Sequence, residues 1–434
     1  MKKSFQSWLG CLLIAFIVTA CGPAPTPAPT LEPTILRFAY AGHDVDYQKL
    51  ADEFHQQYPD VMIELIPVSL REQVNGRDFL LEQFEESDVV RMKTAFVGPE
   101  QLDAILPLDD FIADSEDFPR QDFFPGALEA LQYEKRQMGA PAGLDPVVMF
   151  YENIRFKAAS ATPPDPDYTL EDFLASAREV NNPGASIESG NFSYGFCTTP
   201  LYYDPVAFAY IFGGGIFDQA PEPTKPTLNS PANVEAISWY ARLWSEHAIT
   251  PKVTENEFQT YQQVGSSTCG FWLNWLDMFG FARSYTIQGR VLPLPRVDES
   301  SSGAQSAPSY QDGYFITKYS PNPEVAWKWI NFLLERQEAS LNLIPPLTWQ
   351  IESDEYAQRV SPDVLAVAQR LPSNMPFLSL AFLNDPRRIE ISNQFQEAVR
   401  QVVVEDADVQ AALDEAQAKA EEIFNSPGAQ DAQP

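Results

Sequence analysis

Apolar residues in this chain fall at two spacings, and each stretch keeps to one of them. Ile35-Leu36-Arg37-Phe38-Ala39-Tyr40 is apolar at all but one position and reads as a buried strand. Beyond a loop over 41–46, Tyr47, Leu50, Ala51 and Phe54 recur at helical spacing, and Pro59 stops the helix. Val61 to Val68 is a second apolar strand, and Pro67, which cannot donate to a ladder, places it near a sheet edge. Strand, helix and strand in so short a span make a βαβ unit and hence a parallel sheet.

The same logic marks elements further on. Thr169 and Asp172 form a capping-box pattern ahead of Leu170, Phe173, Leu174 and Ala177, which line one helix face. Ser230 caps a helix with Pro231 at its first position and Val234, Ile237, Ala241 and Trp244 on its buried face. Trp239, Trp244, Trp327 and Trp329 sit at helical spacing and read as core. Gly213 to Gly215 read as a helix end through left-handed backbone. A last amphipathic helix carries Val409, Ala412, Leu413, Ala416, Ala420 and Ile423, and the small polar tail from Ser426 is expected to fray.

The apolar run at the start has a different meaning. Lys2 and Lys3 precede an apolar stretch from Trp8 to Ala20 that ends Val18-Thr19-Ala20-Cys21. A basic start, a short apolar run and small residues before a cut site read as a secretory signal. Small residues followed by Cys also resemble the lipobox of bacterial lipoproteins, which makes Cys21 the first mature residue and the lipid carrier. The other readings are an ordinary signal peptide or an uncleaved anchor. The Pro-rich stretch that follows, up to Pro33, should be an extended polyproline II tether.

Composition narrows the field. The chain has 434 residues, enough for two domains beyond the tether. Its formal charge of −31 argues against nucleic acid and against anionic lipid surfaces, and suits solubility or a cationic ligand. Of 4 Cys, Cys11 lies in the signal and Cys21 at the cut, leaving Cys197 and Cys269. In an oxidising compartment these two can pair; the alternative is two buried free thiols. Catalytic signatures are missing: no Walker A loop, no Gly-x-Ser-x-Gly, no His-Glu-x-x-His, no Cys-x-x-Cys. The 3 His, at 43, 55 and 247, are too scattered for a metal set, and His55 reads as solvated on a polar helix face. Asp165-Pro166-Asp167 lacks the glycine and distal Glu of a calcium loop. No cofactor, metal or catalytic residue is expected.

A family resemblance then becomes specific. Phe38-Ala39-Tyr40, Tyr47-Gln48-Lys49-Leu50-Ala51-Asp52-Glu53-Phe54 and Tyr58-Pro59-Asp60 resemble the N-terminus of extracellular solute-binding proteins of ABC importers, in the sugar-binding branch, family 1. In the order that family shows come Leu106-Pro107-Leu108-Asp109-Asp110, Met149-Phe150-Tyr151-Glu152-Asn153, Gly213-Gly214-Gly215, Gly270-Phe271-Trp272-Leu273-Asn274-Trp275 and Gly313-Tyr314-Phe315-Ile316-Thr317. Tyr310-Gln311-Asp312 and Gly143-Leu144-Asp145-Pro146 depart from its pattern. The resemblance implies a periplasmic-binding-protein-like α/β chain of the type II solute-binding fold, with two α/β lobes joined by a hinge. It divides the chain into a signal (1–20), a tether (21–33), lobe 1 (34–143), lobe 2 (144–290), a return to lobe 1 (291–340), a helical part packing mainly on lobe 2 (341–425) and a tail (426–434). It also implies that Cys197 and Cys269 lie on neighbouring strands, close enough to bridge.

Ligands of open α/β sheets sit beyond the carboxyl ends of strands. That rule places Tyr40, His43 and Asp44 after the first strand, and Tyr202 and Tyr203 after the strand holding Phe196. It also selects Trp272, Asn274 and Trp275 at another strand end, and Tyr310 and Asp312 just before a strand near the second crossing. Rings stack on sugar C–H faces while Asp and Asn fix hydroxyls; core packing or turns are the competing roles. The expected function is capture of a small polar solute, a sugar or oligosaccharide, by a lipid-anchored, extracytoplasmic, monomeric binding protein that hands it to a membrane permease. The rivals are a secreted polysaccharide hydrolase, which needs two carboxylates about 5–9 Å apart, and an adhesive or structural protein with a disused cleft.

Overall fold

A computed structural model describes residues 33–41, 46–68, 77–200, 203–219, 223–253, 263, 266–278, 289–301, 306–340 and 343–426. Its strands, in chain order, begin with β1 (Thr34–Ala41), β2 (Val61–Val68), β3 (Val89–Lys93) and β4 (Ile105–Leu106). A small ribbon, β5 (Gln132–Tyr133) and β6 (Arg136–Gln137), leads to β7 (Ala140–Asp145) and β8 (Val147–Glu152). Then come β9 (Tyr194–Phe196), β10 (Cys269–Trp275), β11 (Gly289–Leu292) and β12 (Tyr310–Thr317).

Two α/β lobes result, each built on one sheet. The first sheet has 6 strands in the order β2-β1-β3-β12-β4, with β7 also paired to β12. β1 runs parallel to β2 and β3, as the βαβ pattern predicts, and β2 holds the edge where Pro67 costs no ladder bond. β12 enters antiparallel from the far end of the chain. Both faces are covered. Leu36, Phe38, Val89 and Tyr314 face Tyr47, Phe54 and Trp329, while Ala39, Val90 and Phe315 face Phe84, Leu102 and Leu131. Strands buried on both sides need apolar residues throughout, which is why they read as runs.

Helix Tyr47–Gln57 buries Tyr47, Leu50, Ala51 and Phe54, and Asp46 caps it by accepting from the Lys49 N–H. His55 departs from expectation: its Nδ1 lies 2.7 Å from the Val61 carbonyl, tying the helix to the start of β2. Trp329 is fully buried among Phe38, Phe54 and Phe332.

The second sheet has 4 strands in the order β11-β8-β10-β9. Along β8, Val147 and Met149 face one core while Val148 and Phe150 face another. Over the first core lies helix Leu170–Val180, begun by the expected Thr169–Asp172 capping box. Helix Pro231–Ser245 is buried more broadly than its pattern predicts, with Trp239, Tyr240 and Leu243 joining Ile237. The reason is that helices Arg387–Glu405 and Val409–Asn425 close over it. Gly213, at φ +79°, ends helix Asp204–Ile211 in left-handed backbone. The second core takes its cover from Ile344, Tyr356, Val367 and Phe377. There Cys197 and Cys269 are disulfide-bonded, with Cα atoms 5.6 Å apart.

Among the described residues three connections join the lobes. β7 and β8 are one extended stretch interrupted at Pro146, the second connection joins β11 to β12 with 293–301 and 306–309 described, and residues 378–386 form the third. In the third, Leu380 packs in the first lobe and Asn384 donates to the Val97 carbonyl at 3.0 Å, whereas Ile391 and Phe395 belong to the second lobe's core.

Candidate ligand-binding site

β9 and β10 run parallel, so their carboxyl ends point the same way. Beyond those ends, against two of the lobe connections, lies a cavity of about 410 Å³. Tyr203, Trp275 and Tyr310 form its aromatic wall. The Trp275 ring lies 5.0 Å from that of Tyr203 and 5.3 Å from that of Tyr310, centroid to centroid. Tyr203 is anchored because its hydroxyl donates to the Pro308 carbonyl in the second connection. Trp272 is mainly a core residue, stacked on Phe150 at 5.3 Å, with one edge in the wall. The Asn274 Oδ1 accepts the Trp275 backbone N–H at 2.9 Å, while the buried Trp275 Nε1 has no acceptor among the described residues.

The wall's charged groups are few. Asp204, on the first turn of its helix, accepts the Thr198 hydroxyl at 2.6 Å, and Thr198 in turn lies 2.6 Å from the Tyr240 hydroxyl. Enclosure by protein raises the Asp204 pKa to about 7, with the Thr198 and Thr199 hydrogen bonds opposing the rise. Arg388, from helix Arg387–Glu405, also lines the cavity, and burial lowers its pKa. Burial raises the Tyr310 pKa, against the opposing pull of Arg388 and Lys93.

Behind Tyr310 the lobes meet through charge. Lys93, at the end of β3, contacts Asp145 at 2.6 Å and Asp277, which follows β10; its ammonium also lies 5.8 Å from the Tyr310 ring centre. Burial disfavours the Lys93 charge, but Asp145, Asp277 and Asp312 outweigh it and push its pKa up. For Asp145, burial and Asp277 raise the pKa to about 7 despite Lys93. The Asp277 N–H donates to Asp145 at 2.9 Å, so this carboxylate bridges both lobes.

Of the residues picked from sequence, Tyr203, Trp272, Asn274, Trp275 and Tyr310 come together in one wall. Tyr310 and Asp312 were expected just before a strand; they lie within β12, whose pairing with β7 begins at Tyr310. Asp312 forms an ion pair with the buried Arg91 at 3.1 Å rather than lining this cavity. Tyr40 packs on Tyr47 and Phe38 in the first lobe, also away from the wall. His43, Asp44, Tyr202 and Cys21 lie outside the described residues. The sequence reading missed Asp204 and Arg388. Asp204 carried one signal, an Asp-Pro helix start right after Tyr203. Arg388 carried none, since its wall position depends on the third connection.

The fold and its site define a class: two α/β lobes, three connections and a ligand-sized cavity against the hinge, the type II solute-binding architecture. The chain belongs to the bacterial extracellular solute-binding protein family, whose model matches residues 41–339. A maltotriose-binding protein of Pyrococcus abyssi (strain GE5 / Orsay) is 23% identical over 321 residues, 71% of this chain and 65% of that relative, so the match spans just under two thirds of its length. Among solved structures, the cyclic alpha-maltosyl-1,6-maltose binding protein from Arthrobacter globiformis superposes with a TM-score of 0.69 at 15% identity, covering 91% of this chain and 100% of that one. A Mycobacterium tuberculosis protein in complex with glycerophosphocholine gives 0.65 at 14% identity, covering 91% and 98%. These likenesses show a fold that serves ligands of different chemistry.

Proposed function

We propose that this protein is the solute-capturing lipoprotein of an ABC importer. It holds a sugar or oligosaccharide between its lobes and hands it to membrane permease subunits. The observation that carries the reading is the aromatic wall of Tyr203, Trp275 and Tyr310 around a cavity of ligand size at the lobe connections. Flat rings cover sugar C–H faces, and the surrounding amides and hydroxyls meet sugar hydroxyls. The binding names of the relatives support a saccharide. The division into a lobe 1 of 34–143 and 291–340 and a lobe 2 of 144–290 with 341–425 belongs to this reading, as does the monomeric state. Hinge closure around the ligand is the signal to the permease, driven by the ligand's greater affinity for the closed form. The lipid on Cys21 and the Pro-rich tether hold the lobes off the membrane, and the reading involves no bond cleavage.

The hydrolase reading loses support here. Among the described residues the cavity wall carries one carboxyl, Asp204, where glycoside hydrolysis uses a pair. The test is calorimetric titration with sugars, polyols, peptides and polyamines, with chromatography of the recovered ligand. Binding of a saccharide, returned intact and weakened at least ~10-fold by Trp275→Ala, is the expected outcome. Cleaved product, or silence across the panel, would end the proposal. Separately, Cys21→Ser should move the protein from the membrane fraction to the soluble one.

A further inference from the structure

The wall of the cavity is out of keeping with the charge of the chain. Against 60 acidic residues the chain has 29 basic ones, yet the described wall holds one carboxyl and one guanidinium. The carboxyl, Asp204, is enclosed and already accepts the Thr198 hydroxyl. The guanidinium, Arg388, makes no direct ion pair among the described residues: Asp385, the carboxylate whose charge reaches it, is held in contact by Arg387. Its neighbour Arg387 takes Asp385 through two nitrogens, with contacts of 2.9 Å and 2.6 Å. Arg388 uses only Nε, which donates to the Leu383 carbonyl at 2.8 Å, and it has no ion pair among the described residues. That bond ties down one side of the guanidinium, and Arg388 lines the same cavity as Tyr310.

A partly desolvated cation is costly unless something of opposite charge meets it. The one fully buried polar side-chain atom of the wall that lacks a partner among the described residues is also a donor. The Trp275 Nε1–H has no acceptor among the described residues, and the Asn274 oxygen is occupied, leaving its amide N–H groups. Donors without acceptors call for an acceptor-rich ligand, and a planar guanidinium suits carboxylate or phosphate oxygens.

We infer that the solute is an anionic sugar, a glycoside bearing a carboxylate or a phosphate, whose charge docks on Arg388 while its ring stacks against Trp275 and Tyr310. This reverses the expectation, drawn from net charge, of a cationic ligand: the acidic exterior and the site have opposite character. The inference rests on the solute-binding reading and narrows it.

The test is titration calorimetry with matched pairs: trigalacturonate against galactotriose, glucuronate against glucose, and glucose 6-phosphate and mannose 6-phosphate against their parent sugars. The carboxylate and phosphate arms separate the two sources of charge. In the wild type, the acidic member of at least one pair should bind about tenfold or more tighter than its neutral partner. Arg388→Gln should shrink that ratio to within about threefold, while Arg388→Lys, which keeps the charge and loses the planar fork, should leave it between the two. Thermal unfolding of each variant without ligand checks that it is folded. Equal affinity within every pair, or a ratio that survives Arg388→Gln, overturns the anionic ligand and leaves solute binding standing. Failure of every sugar, acidic or neutral, to bind the folded wild type overturns both.

Discussion

Asp204 sits in the first turn of helix Asp204–Ile211, with Thr198 Oγ1 2.6 Å from its carboxylate. Its pKa of about 7, against an ordinary 3.8, means that the folded protein favours the protonated form. Between those pH values the folded state holds a proton that the unfolded chain has lost, so stability falls as pH rises. The full difference is on the order of 4 kcal/mol, reduced by whatever water the cavity admits. Chemical denaturation from pH 4 to 8 should show Asp204→Asn losing less stability across that range than the wild type. A parallel pair of curves would refute the assignment. The disulfide makes a second residue-scale prediction. Cys197 and Cys269 are 1% and 0% exposed and 72 residues apart. Cys197→Ser with Cys269→Ser should cost about 4 kcal/mol by loop entropy, and thiol labelling of the oxidised native protein should find neither cysteine free.

At the scale of elements, helix Leu170–Val180 packs Phe173 on Phe196 and Phe271, and nearer its end it comes so close to β9 and β10 that only glycine fits at positions 195 and 270. A Cβ on Gly195 would stand 2.4 Å from the Ala177 carbonyl oxygen, and one on Gly270 would stand 2.4 Å from Val180 Cγ2. Gly195→Ala should therefore cost about 1–3 kcal/mol, read as a lower urea midpoint. The helices themselves were legible beforehand, because spacing and caps are local: Tyr47 to Phe54 and the Thr169–Asp172 box lie where periodicity places them. Strand adjacency was less so. That β12 lies between β3 and β7 follows from pairings between residues as far apart as Asp312 and Lys93 or Tyr310 and Asp145, which no local pattern encodes. The aromatic wall was legible because strand ends are predictable landmarks in α/β sheets. Arg388 was not, since its place is fixed by how the third connection docks on Val97.

At the scale of the molecule, Lys93 is the point where the lobes are joined by charge. Asp145 is 0% exposed and Asp277 24%, so Lys93→Met leaves two carboxylates facing each other with no cation between them. The expected loss is about 3–5 kcal/mol. Asp277→Asn keeps the Lys93–Asp145 contact, so it should cost less and mainly loosen the lobes. Small-angle scattering should then give a larger radius of gyration in the unliganded state. An unchanged radius would show that the contact does not hold the lobes together.

The position of β12 also bears on how the molecule is made. Its partners β3, β4 and β7 are all synthesised long before it, and the whole second sheet is translated in between. Until Tyr310–Thr317 emerges, the earlier half of the protein has a gap where its middle strand belongs, with hydrogen-bonding edges open on both sides. The nascent chain thus cannot finish its first lobe before its second, and any product that stops short of β12 carries two sticky edges ready to pair with a neighbouring molecule.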